Sequence, residues 1–165
     1  MAQPDIAVTA DDRVHLARAV ALSRKHMEEG AGGPFGAVIA RGGEVLAEGW
    51  NEVTSTNDPT AHAEVVAIRR ACASLGDFAL PGATLYASCE PCPMCLAAAY
   101  WARVARIVFA NSRRQAAAIG FDDAFIYDEI PLAPEARRVP AIHVPDEEAA
   151  SVFVDWLRKA DRVPY

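Results

Sequence analysis

The stretch Ala83-Thr84-Leu85-Tyr86-Ala87-Ser88-Cys89-Glu90-Pro91-Cys92-Pro93-Met94-Cys95 turns from strand-like to helix-like within a few residues. Residues 83–88 alternate as a strand does, and Pro91 interrupts them. Pro93 suits the first turn of a helix, where its missing amide would have had no partner. That helix extends to about residue 102. A second strand follows at 106–110 and a short helix at 113–119, so the centre of the chain reads strand, helix, strand. Upstream, Asp11 and Asp12 open a helix over 11–27 that Gly30 closes. Gly32-Gly33-Pro34 breaks the chain, and strands at 36–40 and 45–50 flank a Gly42-Gly43 turn. Residues 51–59 are polar and loop-like. Thr60 is placed to cap a helix reaching 75, with Gly76 as its stop and Ile68, Cys72 and Leu75 at helical spacing. Downstream, 120–127 reads as a loop, the proline-containing stretch 131–145 as an extended connector, and 146–160 as a last helix. One hairpin followed by strand–helix alternation predicts an α/β fold: a mixed sheet with helices on both faces. The strand order is not encoded in this pattern.

The 165 residues are 52% apolar and 23% charged, the balance of one globular domain spanning 1–165. No internal repeat or linker divides them. No apolar run approaches the length of a membrane span, and no basic start precedes an apolar segment, so we expect a cytoplasmic protein with no membrane partner. Four cysteines in such a chain point to a metal or to catalysis rather than to disulfides. The formal net charge of −6, with Asp146, Glu147 and Glu148 opening the last helix, counts against a nucleic-acid partner.

The chemistry-bearing residues are His62 and Glu64 in His62-Ala63-Glu64, and Cys92 and Cys95 in Pro91-Cys92-Pro93-Met94-Cys95. Three residues apart at a helix start, the two sulfurs can face one side. The positive end of the helix favours thiolate, the metal-binding form. His62, at the start of another helix, can supply a third ligand. Three protein ligands leave a tetrahedral zinc ion one open position for a water molecule, whose pKa such an ion lowers to about 7. Glu64 does not share a helical face with His62, which suits a proton carrier beside the metal rather than a ligand. Two other readings stay open. A structural zinc would want a fourth ligand, for which Cys89 is available, and Cys89, Cys92 and Cys95 also form part of an iron–sulfur pattern. Cys89 otherwise reads as a strand-end residue facing the packing, and Cys72 as part of an apolar stripe.

His-x-Glu followed by Pro-Cys-x-x-Cys resembles the pattern of the zinc-dependent deaminases. The likeness extends through Gly33-Pro34-Phe35-Gly36-Ala37-Val38-Ile39, Asn57-Asp58-Pro59-Thr60-Ala61-His62-Ala63-Glu64, Tyr100-Trp101-Ala102-Arg103 and Gly120-Phe121-Asp122-Asp123. On these segments the chain resembles the cytidine deaminase-like superfamily and, within it, the short bacterial guanine deaminases. The resemblance implies a three-layer α/β/α sandwich around a mixed five-stranded sheet, one zinc ion per subunit, and a homodimer exchanging residues 146–165. It further implies metal ligands His62, Cys92 and Cys95, and Glu64 as the catalytic proton carrier. Phe35 would stack on the purine, and Trp101 would close the pocket beside it. Asn51 and the backbone amide of Ala63 would hydrogen-bond the base. Asp123 would bind the guanine edge and share in proton transfer, and Tyr165 would reach into the partner's site. The reaction expected is hydrolysis of guanine to xanthine and ammonia. Guanosine deamination, adenosine editing in transfer RNA, turnover of triazine amines and a non-enzymatic zinc module are the rivals.

Overall fold

The computed structural model describes residues 7–164, and the chain divides into two compact units, Met1–Asp123 and Ala124–Tyr165. In the first unit, helix α1 (Ala10–Glu28) starts from Thr9, whose hydroxyl accepts from the Asp12 amide while the Asp12 carboxylate accepts from the Thr9 amide. This reciprocal cap satisfies two amides that a helix start leaves without partners. Strands β1 (Gly36–Arg41) and β2 (Glu44–Trp50) form the expected hairpin. One-turn helix α2 (Val53–Thr56) and helix α3 (Ala63–Leu75) follow, then β3 (Thr84–Cys89), α4 (Pro93–Trp101), β4 (Arg106–Asn111) and α5 (Arg113–Ala118).

The sheet runs β2-β1-β3-β4, with β1 antiparallel to both neighbours and β3 parallel to β4 across the α4 crossover. Alternation along β1 creates the layers. Ala37 and Ile39 face one side, where they pack with Leu85 and with Ala63, Ala67, Ile68, Ala71 and Ala99 of α3 and α4. Val38 and Ala40 face the other side, where they pack with Tyr86 and with Ala19 of α1. The result is a three-layer α/β/α arrangement around a mixed sheet. A Cβ at Gly49 would stand 2.3 Å from the Ala63 carbonyl oxygen, so only glycine lets β2 and the start of α3 approach this closely.

Four details correct the sequence reading. The sheet has four strands among the described residues, not five. The apolar stretch at 139–144 joins no sheet; it contains Pro140 and is followed by Pro145, which have no amide to give a ladder. Thr60 does not cap α3, because its amide and hydroxyl are both bonded to the Asp58 carboxylate; His62 occupies the cap position. The polar segment after Asn51 contains α2, steadied by the Ser55 and Thr56 hydroxyls donating to the Glu52 carbonyl. Part of the expected 120–127 loop is helix α6 (Ala124–Glu129), at six residues too short for a periodicity to show.

In the second unit, α6 and helix α7 (Glu147–Arg158) are joined by a connector with a single 3-10 turn at Pro134–Ala136. The Glu129 carboxylate holds the connector through the Arg138 amide, and Asp146 caps α7 by accepting from the Ala149 amide. No residue of α7 is buried, and Val152, Phe153 and Leu157 are exposed apolar side chains. No helix among the described residues is long and apolar enough to cross a membrane.

Candidate active site

The beginnings of two helices build the site. His62 is the N-cap of α3 and Cys92 the N-cap of α4, each with extended backbone and no side-chain cap. Their uncapped amides and aligned dipoles create positive potential at the same place. The His62 Nδ1 lies 3.6 Å from the Sγ of Cys92 and 3.6 Å from the Sγ of Cys95. All three ligand atoms fall within 4.8 Å of one another. Bonds of about 2.0–2.3 Å from one tetrahedral ion to nitrogen and sulfur would leave neighbouring ligands about 3.5 Å apart, so the trio fits zinc. Two thiols and an imidazole are also the donors a borderline-soft cation prefers.

Protons are already unevenly placed there. A hydrogen bond with Cys95 leads the causes that pull the Cys92 thiol down to about 4, with His62 adding to it. The same bond and burial push Cys95 upward, and the contact with Cys92 raises His62. A divalent cation would displace the proton these sulfurs share. Glu64 is buried in the first turn of α3 and lies outside the ligand trio. Burial raises its carboxyl to about 7, and the negative Cys92 adds to the rise while His62 opposes it. A carboxyl balanced near neutrality can both take and give a proton. Cys89, the expected strand-end residue, is buried at the end of β3 with its thiol pushed up to about 11, chiefly by burial; it is not in the trio.

Of the other predicted residues, Ala63 directly follows His62 and Asp123 feels the charge of Cys92. Asn51 is buried directly after β2; its Oδ1 accepts from the Gly33 and Val53 amides, which leaves its side-chain NH2 as the unspent donor. The preceding Trp50 is fixed by stacking on His26 at 3.7 Å and beneath the Arg70 guanidinium at 4.2 Å. The Ala63 amide, at the first position of α3, has no hydrogen-bond partner among the described residues and is therefore a further donor. Phe35 packs against the apolar core and meets Phe121 at a ring separation of 4.9 Å and an interplanar angle of 88°. Asp123 is half-buried, and its carboxyl is raised first by burial and then by the charge of Cys92, which brings it within electrostatic reach of the trio. Trp101 ends α4 with 64% of its surface exposed. Tyr165 lies outside the described residues. Sequence reasoning did not foresee the Phe121 contact with Phe35; a large apolar residue between Gly120 and two aspartates was the available signal.

Residues 9–111 match the family model described as the cytidine and deoxycytidylate deaminase zinc-binding region. The chain is 51% identical to guanine deaminase of Bacillus subtilis (strain 168) over 91% of its own length and 96% of that protein's. An X-ray structure of guanine deaminase from Bacillus subtilis superposes with a TM-score of 0.90, covering 93% of this chain and 98% of that one at 50% identity. A guanine deaminase structure from Nitrosomonas europaea gives a TM-score of 0.65 at 30% identity, covering 73% and 69% of the two chains. A tRNA-specific adenosine deaminase of Agrobacterium fabrum is 31% identical over 90% of this chain and 95% of its own.

Proposed function

We propose the hydrolytic deamination of guanine for this chain, which belongs to the cytidine and deoxycytidylate deaminase zinc-binding family and has its cytidine deaminase-like fold. Guanine and water would give xanthine and ammonia. The substrate assignment rests on the 51% identity to a guanine deaminase, which extends far past the metal motif shared by the family. His62, Cys92 and Cys95 would hold one zinc ion per subunit. When bound, that ion supplies a water molecule acidified enough to react near neutrality.

The remaining chemistry belongs to side chains of this protein. The Glu64 carboxylate would accept one proton from water and deliver it to the ring nitrogen beside C2. It would then take the second from the new C2 hydroxyl and pass it to the departing amine, so the two protons of water end on xanthine and ammonia. Its burial keeps solvent from competing for that proton. The NH2 of Asn51 and the amide of Ala63 would donate to acceptors of the base, and Asp123 would accept from the N–H groups of the guanine edge. Phe35 and Trp101 would flank the ring. The small-molecule partner is thus a purine base. A homodimer would exchange residues 146–165 and bring Tyr165 to the neighbouring site; the exposed apolar side chains of α7 support such an association.

Turnover of transfer RNA is the second reading, since a relative named for it covers 90% of this chain. The net charge of −6 opposes it, because phosphate binding requires basic surface. The test of the mechanism is Glu64→Ala measured for both bound zinc and xanthine formation. Zinc retained with turnover lowered by at least about 10³-fold is the expected result. A folded, zinc-loaded variant of full activity would overturn the role of Glu64.

A further inference from the structure

We infer that Phe121 is a positioning residue that fixes the aromatic wall of the base pocket and tunes selection for a free base; this rests on the proposed purine deamination. Phe121 lies beyond the residues 9–111 that match the family model, on the turn between α5 and the pair Asp122-Asp123. The Gly120 and Phe121 amides donate to the Ala117 and Ala116 carbonyls, which fastens the turn to the end of α5. From there the Phe121 ring meets Phe35 perpendicularly at 4.9 Å, the geometry in which one ring's positive edge faces the other's negative face.

The glycine turn on the other side is shaped to receive it. A Cβ at Gly33 would stand 3.2 Å from the tip of the Phe121 ring and 3.3 Å from the side of the Phe35 ring. Gly33 donates to the Asn51 Oδ1, and the Asn51 amide donates to the Phe35 carbonyl. Phe121 thus closes a circuit through Phe35, Gly33 and Asn51, while its own chain continues two residues to Asp123. One ring sets the spacing between the stacking side chain and the carboxylate. Phe121 is itself 46% exposed and is not among the buried core residues. Its truncation should therefore loosen the pocket while the core stays intact.

The experiment compares Phe121→Ala, Phe121→Tyr and wild type, all zinc-loaded, for guanine and guanosine deamination, with Phe35→Leu and the Phe35→Leu/Phe121→Ala pair completing a double-mutant cycle. For Phe121→Ala we expect the KM for guanine to rise about five- to tenfold with kcat changed less than about threefold. The preference for guanine over guanosine should narrow, and Phe121→Tyr should recover most of the affinity. The double variant should lose less than the product of the single losses, because Phe121 acts through Phe35. An unchanged KM and preference in Phe121→Ala, or strictly multiplicative losses, would overturn the inference. If wild type releases ammonia from another base and not from guanine, the substrate reading falls. The KM for that base in Phe121→Ala then decides the role of Phe121 by the same criteria.

Discussion

Asn51 illustrates how a single side chain divides its bonds. Its oxygen is committed to the Gly33 and Val53 amides, so an alanine there removes the tie that holds the glycine turn together with the donor proposed for the base. Asn51→Ala should therefore lower kcat/KM for guanine by at least about 10²-fold, beyond the loss of one hydrogen bond to ligand. Asn51→Asp keeps an acceptor for the tie but replaces the donor with a charged acceptor, so it should lose turnover while retaining more stability than the alanine variant. Steady-state kinetics and denaturant unfolding on zinc-loaded variants separate the two, and an alanine variant as stable as the aspartate variant would remove the structural part of the account. The convergence of His62, Cys92 and Cys95 was legible from spacing, because a metal site constrains residue type and separation tightly. Phe121 was not, since a perpendicular ring contact between residues so far apart in sequence leaves no local pattern.

At the scale of elements, the start of α3 depends on its closeness to β2. Gly49→Ala would drive a Cβ into the Ala63 carbonyl at 2.3 Å, and backbone there has no rotamer with which to yield. We expect a loss of about 2–3 kcal/mol in denaturant unfolding, accompanied by reduced zinc occupancy as His62 and Glu64 shift. Undiminished zinc and stability would show that the two elements can separate freely. On the opposite face, α1 is anchored by Asp12, whose carboxylate accepts from Arg106 at 2.7 Å, from the Tyr86 hydroxyl at 2.9 Å and from the Thr9 amide at 2.7 Å. The hydrogen bond from Arg106 is foremost in holding this carboxyl far below its ordinary value of 3.8. The folded state therefore binds fewer protons here than the unfolded chain, and the stabilisation is present above 3.8 and is lost as pH falls below it. Asp12→Ala should cost about 3 kcal/mol at neutral pH, and the difference from wild type should shrink on acidification; a constant difference would contradict the assignment. The hairpin and the strand–helix–strand unit were readable from turns and alternation. Helices α2 and α6 were not, because four and six residues cannot display a helical period.

For the whole molecule, the layers followed from the sequence but the strand count did not, since proline at 140 and 145 is visible while sheet pairing is a long-range choice. If residues 146–165 are exchanged, a chain lacking Tyr165 and a Glu64→Ala chain should complement one another when co-expressed. The hybrid dimer then holds one complete site, giving about a quarter of wild-type activity in a random mixture, where each homodimer alone is nearly silent. Absence of complementation in a proven hybrid dimer would place Tyr165 outside the partner's site. The central claim, a zinc-dependent aminohydrolase that selects guanine, is tested most directly by ammonia release from guanine, guanosine, adenosine and cytosine with protein of measured zinc content. The account predicts turnover of guanine far above the other three, and its loss when zinc is removed. Preferred turnover of guanosine or cytosine, or undiminished turnover without zinc, would contradict it.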